Sequence, residues 1–276
     1  MLPVLLILGL TLTLLAWPVA RARLRARRRA ALRAQAFPPA WSTVLETHLP
    51  LYRRLPPALR TQLHGHVQVL LAEKDFHGTH GLQVTDTMRV IVAAQAALLL
   101  FNRTPDYYPE LHSIVLYPAR FIVDREVWDE AGVQRRERRV LSGESWEKGQ
   151  LVLSWDDTLM GGMDSGDGYN VVLHEFAHQL DHRSGSTNGV PAGLGRRGRA
   201  AWSAAFLPAY EHHRRRVAAG EDTWLDPYAA ESPAEFFAVL TEYFFELPRE
   251  LRVEYPAIYA RLQDYYRVDP ARWPAA

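Results

Sequence analysis

The sequence predicts an α+β fold that is mainly helical with a small mixed sheet, and three observations support this prediction. Two helical segments, Leu59–Lys74 and Asp86–Leu100, come first. Two short runs typical of strands, Ser113–Tyr117 and Leu151–Trp155, lie in the middle of the chain. From Tyr169 onward the periodicity is again helical. This grouping of helices and strands fits an α+β domain.

The first 20 residues form an uncharged segment rich in leucine. As a helix it would reach about 30 Å, enough to cross the hydrocarbon core of a bilayer. Arginines follow at once, and no acidic residue occurs before Glu46. Because the positive charge follows the apolar run, the segment differs from a secretory signal, and the positive-inside rule keeps the rest of the chain in the cytoplasm. We therefore expect a single-pass anchor in the inner (cytoplasmic) membrane. The alternative is a cytoplasmic protein whose N-terminus is cleaved or wrongly assigned.

Charge divides the chain into three parts: a transmembrane anchor at 1–20, an Arg-rich juxtamembrane linker at 21–40 and one domain at 41–276. Seven of the 32 basic residues lie in the Arg-rich part, and all 31 acidic residues lie beyond it. A mildly acidic domain does not indicate direct nucleic-acid binding, and the arginines fit anionic lipid headgroups better. The absence of cysteine excludes disulfides and thiolate metal ligands.

The early elements have clear boundaries. Thr85 is expected to cap the second helix, which is apolar nearly all round and therefore buried. Pro118 and Asp156-Asp157 bound the two strands. Residues 120–127 and 138–141 indicate shorter strands, and we expect the strand at 150–155 to form a sheet edge open to an extended peptide.

His174-Glu175-Phe-Ala-His178 is the most informative motif. Residues four apart share one helical face, so both imidazoles can bind one metal ion. Glu175 follows the first imidazole and can take a proton from a metal-activated water. The alternative is a buried helix with two core histidines bonded to the backbone and an exposed glutamate.

The surrounding residues favour a helix that starts after Asn170 and is closed by Gly185. Val172, Phe176 and Leu180 form a buried stripe beside the histidines. His182 continues the histidine spacing, but three rings four residues apart are displaced by about 6 Å per step along the axis, so we expect it to lie outside the ion's ligands. Asp181 is expected either to accept the second N–H of a ligand imidazole or to be solvated.

A third ligand is expected from a later helix. Ser232-Pro233-Ala-Glu235 is typical of an N-cap, a proline at the first helical position and a capping-box glutamate. Capping alone is a sufficient reason for Glu235, so periodicity leaves several carboxylates open: Glu231, Glu235, Glu242 and Glu246.

The segments 150–157, 169–181 and 226–245 resemble the Mlc titration factor A family of bacterial zinc peptidases, and 85–100 and 114–118 match it as well. Members of that family resemble the catalytic domain of anthrax lethal factor around the metal. The likeness spans roughly residues 50–268, and the N-terminal leader departs from it. It implies a zincin-like domain in which zinc is bound by His174, His178 and Glu235, with Glu175 as base and Tyr228 supporting the transition state.

The expected function is therefore zinc-dependent hydrolysis of a peptide or protein substrate. Without the resemblance, Tyr228 is equally well explained by packing against the turn at 224–227. A second hypothesis is a zinc-stabilised binding protein that sequesters a transcriptional repressor, since the family is named for such capture. A zinc hydrolase acting on other bonds also stays open.

Overall fold

The computed structural model describes residues 2–103, 105–128, 134–141, 143–146, 149–182 and 187–274. The side chains within 2–15, 121–128, 134–141 and 144–146 lie outside the description. The helices are α1 (Leu2–Arg33), α2 (Pro39–His48), α3 (Pro50–Arg54), α4 (Pro57–Glu73), α5 (Asp86–Leu98), α6 (Trp155–Met163), α7 (Val171–His182), α8 (Arg196–Ala218), α9 (Pro233–Glu246), α10 (Pro248–Glu254) and α11 (Pro256–Tyr266). The strands are β1 (Asp75–Gly78), β2 (Ser113–Tyr117), β3 (Phe121–Trp128), β4 (Gln134–Leu141), β5 (Gly143–Trp146) and β6 (Gln150–Ser154). The chain is thus mainly helical with a small sheet, as the sequence predicts.

The main sheet has the strand order β1–β2–β6–β5. The first three strands are parallel, and β5 runs antiparallel to β6, so the sheet is mixed. Ile114 pairs with Leu151 and Leu116 with Leu153, and all four side chains are buried. This burial explains the strongly apolar strands of the middle segment.

Two strand predictions need correction. The strand expected at the sheet edge, 150–155, is an interior strand, because β5 pairs along its other side. That strand also ends at Ser154, whose hydroxyl accepts the N–H of Asp157 and caps α6. The short strands expected at 120–127 and 138–141 are instead the longer antiparallel pair β3–β4.

The helices that carry the core agree closely with the sequence. Thr85 caps α5 by accepting the N–H of Met88, and the helix is buried from Val90 to Leu98. One cluster of buried apolar side chains extends from Leu45 to Trp273. Strand β1 was not predicted, because Asp75–Gly78 has no apolar alternation and depends on its pairing with β2.

The N-terminal helix α1 covers the expected anchor and extends into the expected linker. Helix α1 continues through Arg33, so residues 21–33 of the expected linker at 21–40 are helical. This agrees with the high helix propensity of alanine and arginine. Most of the expected anchor at 1–20 falls on residues 1–15, whose side chains are outside the description. In the described part of the chain, no helix combines the length and apolarity that crossing a bilayer requires.

Candidate metal centre and active site

Helix α7 presents the two histidines on one face. Asn170 caps the helix by accepting the N–H of Leu173 at 3.0 Å. The predicted stripe of Val172, Phe176 and Leu180 is buried in the core. This packing fixes the rotation of α7 and turns His174 and His178 towards α9.

Helix α9 supplies the facing carboxylate. Ser232 caps the helix by accepting the N–H of Glu235 at 3.2 Å, with Pro233 in the first turn, as expected. The carboxylate of Glu235 contacts the imidazoles of α7: its Oε2 lies 2.9 Å from His174 Nε2 and 3.2 Å from His178 Nε2. The capping role alone therefore does not account for Glu235.

These three side chains have the arrangement of a metal site. One ligand atom from each of His174, His178 and Glu235 lies within 4.8 Å of the others. The two Nε2 atoms are 3.1 Å apart. Ligands bound at about 2.0–2.1 Å to a tetrahedral zinc ion are separated by about 3.3 Å, so the observed separations of 2.9–3.2 Å fit one ion. Within the described residues, no other group of three or more histidines and carboxylates brings its ligand atoms close enough together to bind one metal ion.

The electrostatics of the cluster favour a positive charge. Burial disfavours the charged imidazole of His174, but the carboxylates of Glu242 and Glu235 outweigh it and raise its pKa well above the usual range. Burial also opposes ionisation of Glu235, yet the hydrogen bonds of His174 and His178 hold its pKa below the usual range. His178 Nδ1 is buried without a hydrogen-bond partner among the described residues. An ionised carboxylate facing two imidazole nitrogens is a donor set suited to a divalent cation.

Glu242 has a role that the sequence does not predict. It was one of four possible ligands, but its Oε1 lies 2.8 Å from His174 Nδ1, on the ring side away from Glu235. Its other oxygen accepts the backbone N–H of Asn170. A carboxylate in this position fixes the orientation and tautomer of a ligand imidazole. The spacing of seven residues from Glu235, two turns along one face, was the available signal.

The remaining candidate ligands lie away from the cluster. Glu231 is exposed, before the start of α9. Glu246 is buried and accepts the side-chain N–H of Asn170 at 3.0 Å. His182 is exposed and lies near Thr187 and Glu110, so it is outside the metal group as predicted. Gly185, expected to close the helix, lies outside the described residues.

Asp181 fulfils neither of its predicted roles. Its side chain is fully buried, and its two oxygens accept the backbone N–H groups of Gly189 at 2.7 Å and Val190 at 3.1 Å. It therefore holds the turn that follows α7.

Glu175 lies between α7 and strand β5. Its residue is 6% exposed, and it lines a cleft with His174. A Cβ atom on Gly143 would come within 2.6 Å of Glu175 Cγ and 2.7 Å of Oε1, so β5 approaches this carboxylate as closely as glycine allows. No local sequence signal predicts the role of Gly143, because the close approach depends on how α7 packs on the sheet.

Tyr228 lines the same cleft. It belongs to the 3₁₀ turn Pro227–Ala230, and Asp226 caps this turn by accepting the N–H of Tyr228 at 2.8 Å. Its ring centroid is 5.9 Å from that of His174, and the residue is 39% exposed. The cleft has a volume of about 220 Å³ and is lined by Gly143, Gly168, Tyr169, Val171, His174, Glu175, Asp226, Tyr228, Val239 and Glu242. Tyr228 thus lies beside the metal group and lines the cleft.

Known proteins are similar to this chain over most of its length. The family described as glucose-regulated metallo-peptidase M90 matches residues 23–267. An uncharacterized protein of Synechocystis, slr2042, is 39% identical over 236 residues, covering 85% of this chain and 86% of the relative. Mlc titration factor A of Yersinia pestis and that of Yersinia pseudotuberculosis are each 36% identical over 228 residues, covering 81% of this chain and 83% of each relative.

Proposed function

Because this chain belongs to the glucose-regulated metallo-peptidase M90 family, we propose that it is a zinc-dependent peptidase of the HExxH…E type. His174, His178 and Glu235 hold the ion, and Glu175 is the general base. The observation that carries the proposal is the convergence of the three ligand atoms within 4.8 Å, next to a cleft that Glu175 lines. Zinc suits a set of two imidazoles and one carboxylate in a chain without cysteine.

The residues around the ion have separate tasks. Bound zinc supplies a Lewis acid that activates water and polarises the scissile carbonyl. Glu175 accepts the proton of the attacking water and then donates it to the leaving amine, so the carboxylate is regenerated. Glu242 holds the imidazole of His174 through Nδ1, which keeps Nε2 directed at the ion.

Tyr228 is proposed to stabilise the oxyanion that forms on the substrate carbonyl. Its ring lies beside His174 and lines the cleft. A hydrogen bond to a developing oxyanion typically contributes a factor on the order of 10²–10³ in rate.

The substrate is proposed to be a peptide or protein segment in extended conformation. Strand β5 pairs with β6 on one side and ends the described four-stranded sheet on the other. Its Gly143 adjoins Glu175. An extended peptide added to this edge would therefore pass the proposed base.

Substitution of the base tests the peptidase proposal. Glu175→Gln keeps nearly the same shape but cannot accept the proton, so we expect hydrolysis of short chromogenic peptides to be abolished while about one zinc per chain is retained. The matched control is Glu250→Gln, which makes the same chemical change at an exposed position of α10 and should preserve hydrolysis. Undiminished hydrolysis by Glu175→Gln would exclude Glu175 as the base.

A second candidate function is capture of a transcriptional regulator. The Yersinia relatives carry the name Mlc titration factor A, which attributes titration of Mlc to those proteins. Such a protein would act by sequestering a repressor, with zinc stabilising the domain. Cells that carry Glu175→Gln as their sole copy discriminate the two functions: unchanged expression of the regulated genes would favour capture, and loss of the response would favour hydrolysis.

The location at the cytoplasmic face of the inner membrane is also a proposal, and it rests on the sequence of residues 1–33. The uncharged segment is followed by seven arginines and precedes every acidic residue. A cytoplasmic protein is the alternative.

A further inference from the structure

A groove runs along the C-terminal half of α1 and has a volume of about 520 Å³. Arg21, Arg25, Arg29 and Arg33, spaced at four residues, lie on one helical face along it. Trp17, Pro18 and Pro105 contribute apolar surface to the same groove. The groove lies outside the active-site cleft and shares no residue with it.

One end of the groove is fixed to the folded domain. Arg29 makes a bidentate ion pair with Glu73 at 2.8 and 2.7 Å and donates to the carbonyl of Asp106 at 2.9 Å. The guanidinium of Arg29 lies 4.7 Å from the ring centre of Tyr107, and Arg33 donates to the Tyr107 hydroxyl at 3.3 Å. The C-terminal end of α1 is therefore held against α4 and the segment around residue 107.

The other end of the groove carries two arginines that make no close ion pair within the described part of the chain. Arg21 and Arg25 are exposed, and within the described ranges no carboxylate forms an ion pair with either. Trp17 next to them is 65% exposed. Guanidinium groups bind phosphate oxygens in a bidentate manner, and tryptophan favours the interface between lipid and water. The open end thus combines sites for an anionic phosphate with an apolar side chain suited to a bilayer surface.

We propose that this groove binds the phosphate headgroups of anionic phospholipids, with α1 lying against the surface of a bilayer. Charge complementarity supports a polyanionic occupant, since Arg21 and Arg25 are exposed and both line the groove. The uncharged segment 1–20 continues from that opening, which favours a lipid surface over a small soluble phosphate. A helix with a basic face and exposed apolar residues binds in this way without spanning the bilayer. The inference does not depend on the peptidase proposal.

Vesicle flotation of the full-length protein tests the groove. Binding to vesicles of phosphatidylcholine is compared with binding to vesicles that contain phosphatidylglycerol as well. The ratio of the two isolates the charge-dependent part, because the apolar N-terminal segment contributes to both. The test variant is Arg21→Gln/Arg25→Gln. The control is Arg23→Gln/Arg27→Gln, which removes the same charge from the opposite face of α1, and glutamine preserves helix propensity in both.

If the groove is the binding site, the test variant should lose more vesicle binding than the control variant. Since each basic residue near an anionic surface contributes about a factor of five, we expect Arg21→Gln/Arg25→Gln to lose about tenfold or more of the phosphatidylglycerol-dependent binding. The control should lose clearly less, and the thermal unfolding of both variants should match the wild type. Equal losses of binding in the two variants would indicate a diffuse electrostatic attraction of all the arginines to the vesicle, and would overturn the proposal that the groove is the binding site. Suppression of wild-type binding by millimolar inorganic phosphate at constant ionic strength would overturn the lipid assignment in favour of a soluble phosphate.

Discussion

Four glutamates near the metal group acquire different properties from their surroundings. Glu235 faces two imidazoles, which hold its pKa below the usual range despite burial. Glu242 contacts the far nitrogen of His174, and Glu175 faces the cleft. Burial raises the pKa of Glu246 well above the usual range, and its Oε2 has no hydrogen-bond partner among the described residues. Burial of Glu246 therefore favours the protonated form of its carboxyl group.

The zinc affinities of alanine variants should distinguish the roles of Glu235 and Glu242. Glu235→Ala removes a carboxylate that lies within 3.2 Å of both imidazole Nε2 atoms, whereas Glu242→Ala removes only the partner of His174 Nδ1. We expect Glu242→Ala to weaken zinc binding by about 10–100-fold and Glu235→Ala to weaken it further. Competition with a chromogenic chelator measures both affinities. The reverse ranking would mean that the ligand assignment is wrong.

The turn that follows α7 packs against the start of α9, and so connects the two helices that carry the proposed metal ligands. Asp181 accepts the N–H groups of Gly189 and Val190, and Trp202 donates its indole N–H to the Gly189 carbonyl at 2.8 Å. A Cβ atom on Gly189 would come within 2.2 Å of the Pro233 carbonyl oxygen. Because Pro233 starts α9, this turn sets the position of the helix that carries Glu235.

Gly189→Ala tests this connection between the helices. The added methyl group must displace the first turn of α9, so we expect weaker zinc binding together with a lower melting temperature. Gly193→Ala is the matched control: its φ of +89° resembles the +78° of Gly189, but nothing lies within 4 Å of the added atom. Left-handed backbone alone costs alanine roughly 1–2 kcal/mol, and forced overpacking adds about 1–3 kcal/mol. Equal zinc affinities in the two variants would contradict this role of the turn.

A buried histidine lies where the N-terminal helix meets the domain. His66 is 5% exposed on α4, and its Nδ1 lies 2.9 Å from the hydroxyl of Tyr107, which Arg33 of α1 also contacts. Burial, reinforced by the charges of Arg33 and Arg103, lowers the pKa of His66 to about 4. The folded protein therefore keeps this imidazole neutral in weakly acidic solution.

This depressed pKa makes the stability of the protein sensitive to acid. In the unfolded chain the imidazole binds a proton at its ordinary pKa of about 6.5, whereas the folded protein resists protonation down to about pH 4. The free energy of unfolding should therefore decrease as the pH falls from about 6.5 towards 4, by on the order of 3 kcal/mol for this group. Urea unfolding at pH 7 and pH 4.5 measures the loss. His66→Gln should show a smaller loss than the wild type, and equal losses would exclude His66 as the cause.

Local signals were sufficient for much of the fold. The caps at Thr85 and Ser232 and the buried stripe of α7 depend on neighbouring residues, and all are confirmed. The prediction that β6 forms the edge of the sheet was wrong. The apolar run of β6 reflects its burial between β2 and β5, and only the pairing of β5 with β6 shows that β5 is the outer strand. Strand pairing is a long-range contact that local alternation does not encode.

The sequence alone determined the helical spacing of His174, Glu175 and His178, since spacing of four residues places both imidazoles on one face of any helix. It also placed Glu235 and Glu242 on one face of α9 but did not distinguish their roles. The contact of Glu235 with Nε2 of His174, and of Glu242 with Nδ1, depends on the packing of α9 against α7, which determines which turn of α9 faces each side of the ring. Periodicity defines the face of a helix, and packing determines what each residue on that face contacts.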